Sequence, residues 1–279
     1  MILTATRVEL AKVFRKWRTY IAFIVIGLLI PVVIIAMSAE GNAYFGFATQ
    51  MLQNLFTFTG NLMNGYTVSY ILLGTLYVQV PFLVTLVAGD ILAGEATGGT
   101  YRLLLTRPLS RTAMVTSKFI ASLITTNLLV LFMAALSMGL GVAFLGTGEV
   151  AVIRSQITIL AADDVLWRFA LAYGFAALAM STVSSIAFLF SSFVENAIGP
   201  IMTTMAVIIV FTILSAIDIP FFAALRPFFF TTHMVGWKAL FEDPVAWPDV
   251  IRSGGVLVAH ILACFGGALL VLNRKDILS

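Results

Sequence analysis

Residues able to do covalent or metal chemistry are scarce in this chain of 279 residues. It holds two histidines, His233 and His260, and one cysteine, Cys264. His260 and Cys264 fall one helical turn apart, but two ligands do not make a metal site. Their spacing predicts packing, with His260 bonding across helices and Cys264 filling apolar space. Asp163 and Asp164 precede an apolar stretch and read as a helix cap with Trp167 as an interfacial anchor, rather than as a calcium site. No Gly-Lys pair occurs, so there is no phosphate-cradling P-loop and no ATP hydrolysis by this chain. Neither H-E-x-x-H nor G-x-S-x-G is present. We therefore expect no catalytic residue and no metal. An intramembrane lipid-modifying enzyme would need convergent His, Asp or Ser groups at one depth, and His260 inside with His233 outside is poor material for it.

The polar segment with the most structure in its spacing is 89–118, GDILAGEATGGTYRLLLTRPLSRTAMVTSK. Gly98 and Gly99 break the chain before Thr100, a candidate N-cap. A short helix over Tyr101–Thr106 can follow, and Pro108 disfavours its continuation. Ser110 can then cap the next helix. Leu103, Leu104 and Leu105 are flanked by Arg102, Arg107 and Arg111. Two helical turns are not stable alone, so this element must dock on a membrane surface or on a partner.

The elements that position this segment follow from composition. Apolar residues make up 61% of the chain and charged residues 10%, against roughly 25% charged in soluble domains. Mean hydropathy is +1.05. That apolar excess excludes ordinary soluble enzymes, and the net charge of +3, without a basic tail, excludes disordered and nucleic-acid-binding classes. A bilayer core of about 30 Å needs roughly 20 apolar residues in a helix. Stretches free of Asp, Glu, Lys and Arg predict an all-α integral membrane protein with six transmembrane helices, at about 19–39, 67–90, 114–146, 167–193, 197–217 and 252–272. Residues 41–66, with Asn42, Gln50, Gln53, Asn54, Asn61 and Asn64, read as extramembrane or re-entrant because unpartnered amides are costly in lipid. Residues 2–18 form an amphipathic helix suited to the headgroup layer, with Leu3, Leu10, Val13, Phe14 and Trp17 on one arc and Glu9, Lys12, Arg15, Lys16 and Arg18 on the other. Residues 218–250 form a loop on the opposite side, whose prolines and aromatics suit short helices lying at that interface. The side shared by the termini carries eleven of the 16 Lys and Arg residues; the other carries Arg154, Arg168, Arg226, Lys238 and Arg252. That bias predicts both termini in the cytoplasm.

The chain resembles the permease of an ABC transporter of the ABC-2, exporter type. That family carries an acidic residue, Gly-Thr, a leucine run, a Pro, an Arg and a Lys in its first cytoplasmic loop. Here these stand at Glu95, Gly99-Thr100, Leu103-Leu104-Leu105, Pro108, Arg111 and Lys118. Where a second Glu often follows the first by two positions, this sequence has Thr97. The resemblance implies that 93–111 holds a coupling helix. The leucines would dock in a separate P-loop ATPase subunit, and Arg102, Arg107 and Arg111 would pair with acidic groups there or with lipid phosphates. Glu95 and Thr100 would hold the loop geometry. ATP and Mg would be bound in that partner. A second permease copy or a paralogue would complete the pathway, in a prokaryotic plasma (inner) membrane. By the same resemblance, spans two and five line a central route, which would place Tyr70, Tyr77, Gln79, Thr203, Thr204 and Thr212 along it. A lining without fixed charge suits an amphipathic or apolar substrate moved outward, and the lack of intramembrane carboxylates argues against proton- or sodium-driven carriage. A membrane anchor or assembly factor for an ATPase is the alternative.

Overall fold

The computed structural model describes residues 2–48, 63–97, 110–153, 157–194 and 196–274. Among them, six helices are long and apolar enough to cross a membrane. In chain order the elements are α1 (Ile2–Val13), α2 (Trp17–Ala48), α3 (Gly65–Ala88), α4 (Asp90–Thr97) and α5 (Arg111–Leu145). A hairpin, β1 (Val150–Ile153) and β2 (Ile157–Leu160), precedes α6 (Ala162–Phe193) and α7 (Ile198–Ala216). Then come α8 (Pro220–Leu225), a 3₁₀ turn, α9 (Phe230–Met234), a 3₁₀ helix over Val235–Phe241, and α10 (Trp247–Arg274). The six crossing helices are α2, α3, α5, α6, α7 and α10. They alternate in direction. One end of the bundle therefore holds α1, α4 and the start of α5; the other holds the hairpin and the turns before α10.

Helix α6 is the central column. Ala172, Ala179, Val183, Ser184, Ser185 and Ala187 on it are fully buried, and α3, α5, α7 and α10 all pack against it. Small side chains permit this crowding, and hydroxyls bond across the seams. Ser122 and Ser184 share a hydrogen bond of 2.8 Å, and Ser137 and Tyr173 one of 2.5 Å. Helices α3 and α5 cross at glycines: a Cβ on Gly65 would run into the backbone of Gly141, and one on Gly141 would sit 2.9 Å from the Gly65 carbonyl. Gly139, two residues before Gly141, faces open space.

Several boundaries differ from the sequence reading. Helix α2 continues to Ala48, so the segment expected to leave the membrane at 41 begins as helix. Its 32 residues reach about 48 Å at 1.5 Å per residue, well beyond the hydrocarbon core, and polar residues are tolerated in the projecting turns. Residues 49–62 lie outside the described residues. Asn64 then caps α3, accepting from the amides of Tyr66 and Thr67, and its side-chain amide donates to the Glu149 carbonyl at 2.7 Å. The hairpin was not anticipated. It is antiparallel, pairs Val150 with Leu160, and buries Val150, Val152 and Leu160.

The aromatics of 218–250 divide. Phe221 and Phe228 are exposed, as expected of an interfacial layer, but Phe230, Trp237 and Phe241 are buried in the core. Trp237 and Phe241 pack edge-on with Tyr70 at 5.4 and 5.0 Å, and Phe241 with Phe169 at 5.0 Å. Apolar area thus draws the segment inward rather than along the surface. Arg168 straps it down: its guanidinium donates to the carbonyls of Leu240 (2.7 Å) and Glu242 (2.9 Å) while pairing with Asp164. Asp164 therefore does not cap α6. The N-cap is Ala161, without a side-chain bond, and Asp164 instead accepts from Trp167 Nε1 (2.6 Å) and from Arg168 Nε (2.8 Å).

Candidate functional site: a charge cluster at the base of the 98–109 loop

The chain ends that bracket the leucine-rich loop are brought together. Glu95, near the C-terminus of α4, and Lys118, in the second turn of α5, meet at 2.6 Å. Lys118 is completely buried, a position in which an ammonium requires compensation. It receives a second carboxylate from Glu9 of α1 at 2.7 Å. Lys12, one turn along α1, lies 2.8 Å from Glu9 and 3.0 Å from Glu95. The four groups alternate in sign and sum to zero charge. Burial disfavours the Lys12 ammonium, but the carboxylates of Glu9 and Glu95 outweigh it and raise its pKa.

This arrangement corrects the reading of α1. Glu9 was expected on the headgroup side with the lysines. The buried strip of α1 is instead Thr6, Glu9 and Val13, at helical spacing, and it packs against α5. Leu3, at 81% exposed, and Trp17, at 71%, face outward. The carboxylate turns inward because Lys118 offers it a partner that the headgroup layer, already lined with basic residues, cannot better.

A second set of charges stands beside the first. Asp90, at the start of α4, accepts from Lys16 Nζ at 2.7 Å and from Arg18 Nη1 at 2.9 Å. Lys16 ends the turn from α1 into α2 and Arg18 lies in the first turn of α2; Thr19 closes the turn by donating to the Val13 carbonyl. Gly94 makes room, since a Cβ there would collide with the Asp90 carboxylate. The joint between α3 and α4 is fixed from α6: Ser191 Oγ donates to the Gly89 carbonyl (2.7 Å) and accepts from the Ala93 amide (2.9 Å). Ser110 caps α5 by accepting from the Ala113 amide at 3.2 Å, and Arg111 opens that helix. Gly99, Thr100, Arg102, Leu103, Leu104, Leu105, Arg107 and Pro108 lie outside the described residues.

The six residues assigned to a pathway lining separate into three groups. Tyr77 and Thr204 are buried within the protomer and cannot line a surface of it; Thr204 bonds back to the Pro200 carbonyl. Tyr70 is half-buried in the aromatic cluster described above. Gln79 of α3 and Thr203 and Thr212 of α7 are exposed. Their hydroxyls are satisfied within α7, Thr203 by the Gly199 carbonyl and Thr212 by that of Ile208, so they present little free polarity. His260 does not bond across helices: its Nδ1 meets the Val256 carbonyl of its own helix at 2.8 Å, with the Phe230 ring 6.0 Å away. No cluster of three or more His, Cys, Asp or Glu residues able to hold a metal occurs among the described residues.

Glu9, Lys12, Asp90, Lys16, Arg18 and Ser191 were not singled out from sequence as members of a site. One signal was available: Glu9 is the only acidic residue in 2–18. An isolated acid in a basic helix, with an isolated Lys118 deep in an otherwise uncharged stretch, is the pattern a buried pair leaves.

Six crossing helices, a docked amphipathic helix and a motif-bearing loop braced at one end of the bundle define a multi-pass membrane protein of the transporter class. The chain belongs to the ABC-2 family transporter proteins, whose family model matches residues 6–226. It is thus a membrane permease component of an ABC transporter. The match includes α1 and every charge of the cluster, and ends before α9 and α10. No curated protein matches the chain.

Proposed function

We propose that this chain is half of an ATP-driven exporter. A separate P-loop ATPase docks on 99–108, and a second copy or a paralogue completes the route. The observation that supports this most directly is the meeting of Glu95 and Lys118. A loop whose two ends are joined by a buried ion pair has a stiff base, so force applied at its tip reaches α4 and α5 rather than dissipating in the connection. The charge bias supports a cytoplasmic position for this end and both termini, where ATP is available, and the resemblance supports a prokaryotic membrane. Substrate moves outward along the exposed faces of α3 and α7, near Gln79, Thr203 and Thr212. Those faces carry no fixed charge among the described residues, which suits an amphipathic or apolar substrate.

The test is purification of the tagged full chain in mild detergent from its native membrane, with mass spectrometry of what remains bound. A stoichiometric P-loop ATPase is expected. Its reproducible absence from folded protein overturns the proposal.

A further inference from the structure

We infer that α1 is a moving part of the force-transmitting apparatus, carried as one body with α4 and the first turns of α5 through Glu9. Glu9 is a positioning residue, and the inference rests on the proposed ATPase docking. Lys118 has no exposure at all, and its ammonium is held by two carboxylates from two different elements, Glu9 at 2.7 Å and Glu95 at 2.6 Å. Separating α1 from α5 would take from Lys118 one of its two carboxylates and from Glu95 one of its two cations. Each buried group keeps both of its partners only when α1, α4 and α5 are together, so helix α1 is not free to drift in the headgroup layer. The second link acts on the same body. Asp90 grips Lys16, the last residue of the α1–α2 turn, and Arg18 in the first turn of α2, while Glu95 holds α1 at Lys12, so α4 is tied to α1, to the turn and to the start of α2. Displacing the loop, whose ends are α4 and α5, must then displace α1 and the first turn of α2 with them.

The experiment uses the full chain in complex with its copurified ATPase, on a Cys264→Ala background. Spin labels go on three exposed positions: Ala11 of α1, Ser110 at the base of the loop, and Asn273 at the end of α10. Distances are read with and without ATP plus vanadate. In the wild type, the Ala11–Ser110 distance is expected to stay fixed and narrow while Ala11–Asn273 shifts. In Glu9→Gln, the ATPase stays bound, but the fixed Ala11–Ser110 separation is lost and its distribution broadens. Reversing the whole ring, Glu9→Lys, Lys12→Glu, Glu95→Lys and Lys118→Glu, keeps the alternation of sign and restores the narrow distribution, which a merely space-filling role for Glu9 would not do. An Ala11–Ser110 distance that shifts with ATP in the wild type, or that Glu9→Gln leaves unchanged, overturns the inference. A bound, active ATPase with no ATP-dependent shift in either pair also overturns it and leaves the docking proposal standing. Failure of any ATPase to copurify removes both.

Discussion

Lys118 is the residue on which the basic end of the bundle depends. A charged group without water must be matched by charge and hydrogen bonds, and here Glu9 and Glu95 supply both. Breaking a buried pair by removing one partner costs about 3–5 kcal/mol, because the remaining charge is stranded. Lys118→Met strands two carboxylates beside the single cation Lys12. It should lower thermal stability in detergent by an amount of that order, read as a lowered unfolding midpoint. Arg226→Met serves as the control, because Asp218, the carboxylate it pairs with, is 91% exposed and such pairs contribute about 0–1 kcal/mol. Equal losses in the two variants would show that burial is not what makes Lys118 matter.

At the scale of elements, the crossing of α3 over α5 is set by two glycines whose backbones touch. Gly65→Ala would force the helices apart at Gly141 and disturb the neighbouring Asn64 cap and its bond to Glu149. We expect a loss of about 1–3 kcal/mol, the range for overpacking, measured as reduced resistance to thermal unfolding. Gly139→Ala, with nothing near its Cβ, should be neutral. The element scale is also where the sequence was most legible. Six charge-free runs map onto six crossing helices because burying a charge in lipid is prohibitive, a rule that needs no partner to apply. The hairpin and the inward turn of 230–241 were illegible for the converse reason. Whether Trp237 and Phe241 lie on an interface or in a core depends on Tyr70 and Phe169, which are far off in the chain. The charge cluster was half legible. Glu95 and Lys118 stood out by motif, while Glu9 resembled any other charge on an amphipathic helix, and the periodicity of α1 could not say which polar residue faced protein.

For the whole molecule, the proposed division of labour makes one substitution diagnostic. Leu104→Asp places a carboxylate in the leucine run without touching the braced ends of the loop. Membrane insertion and the fold should persist, while ATP hydrolysis in the complex proceeds without transport, or the ATPase is lost from the purified complex. Full transport by this variant in vesicles would remove the docking role from the leucines.

The four clamp charges have a consequence for how the protein is made. Glu9, Lys12, Glu95 and Lys118 all fall within the first 118 residues of the chain. The only late arrival is the cation, and its two acceptors are already synthesised when it emerges. As α5 enters the bilayer, Lys118 can be neutralised at once by residues waiting at the membrane surface. The first three spans can therefore be latched before α7 and α10 have been translated. The N-terminal half becomes a template against which the rest of the bundle is assembled.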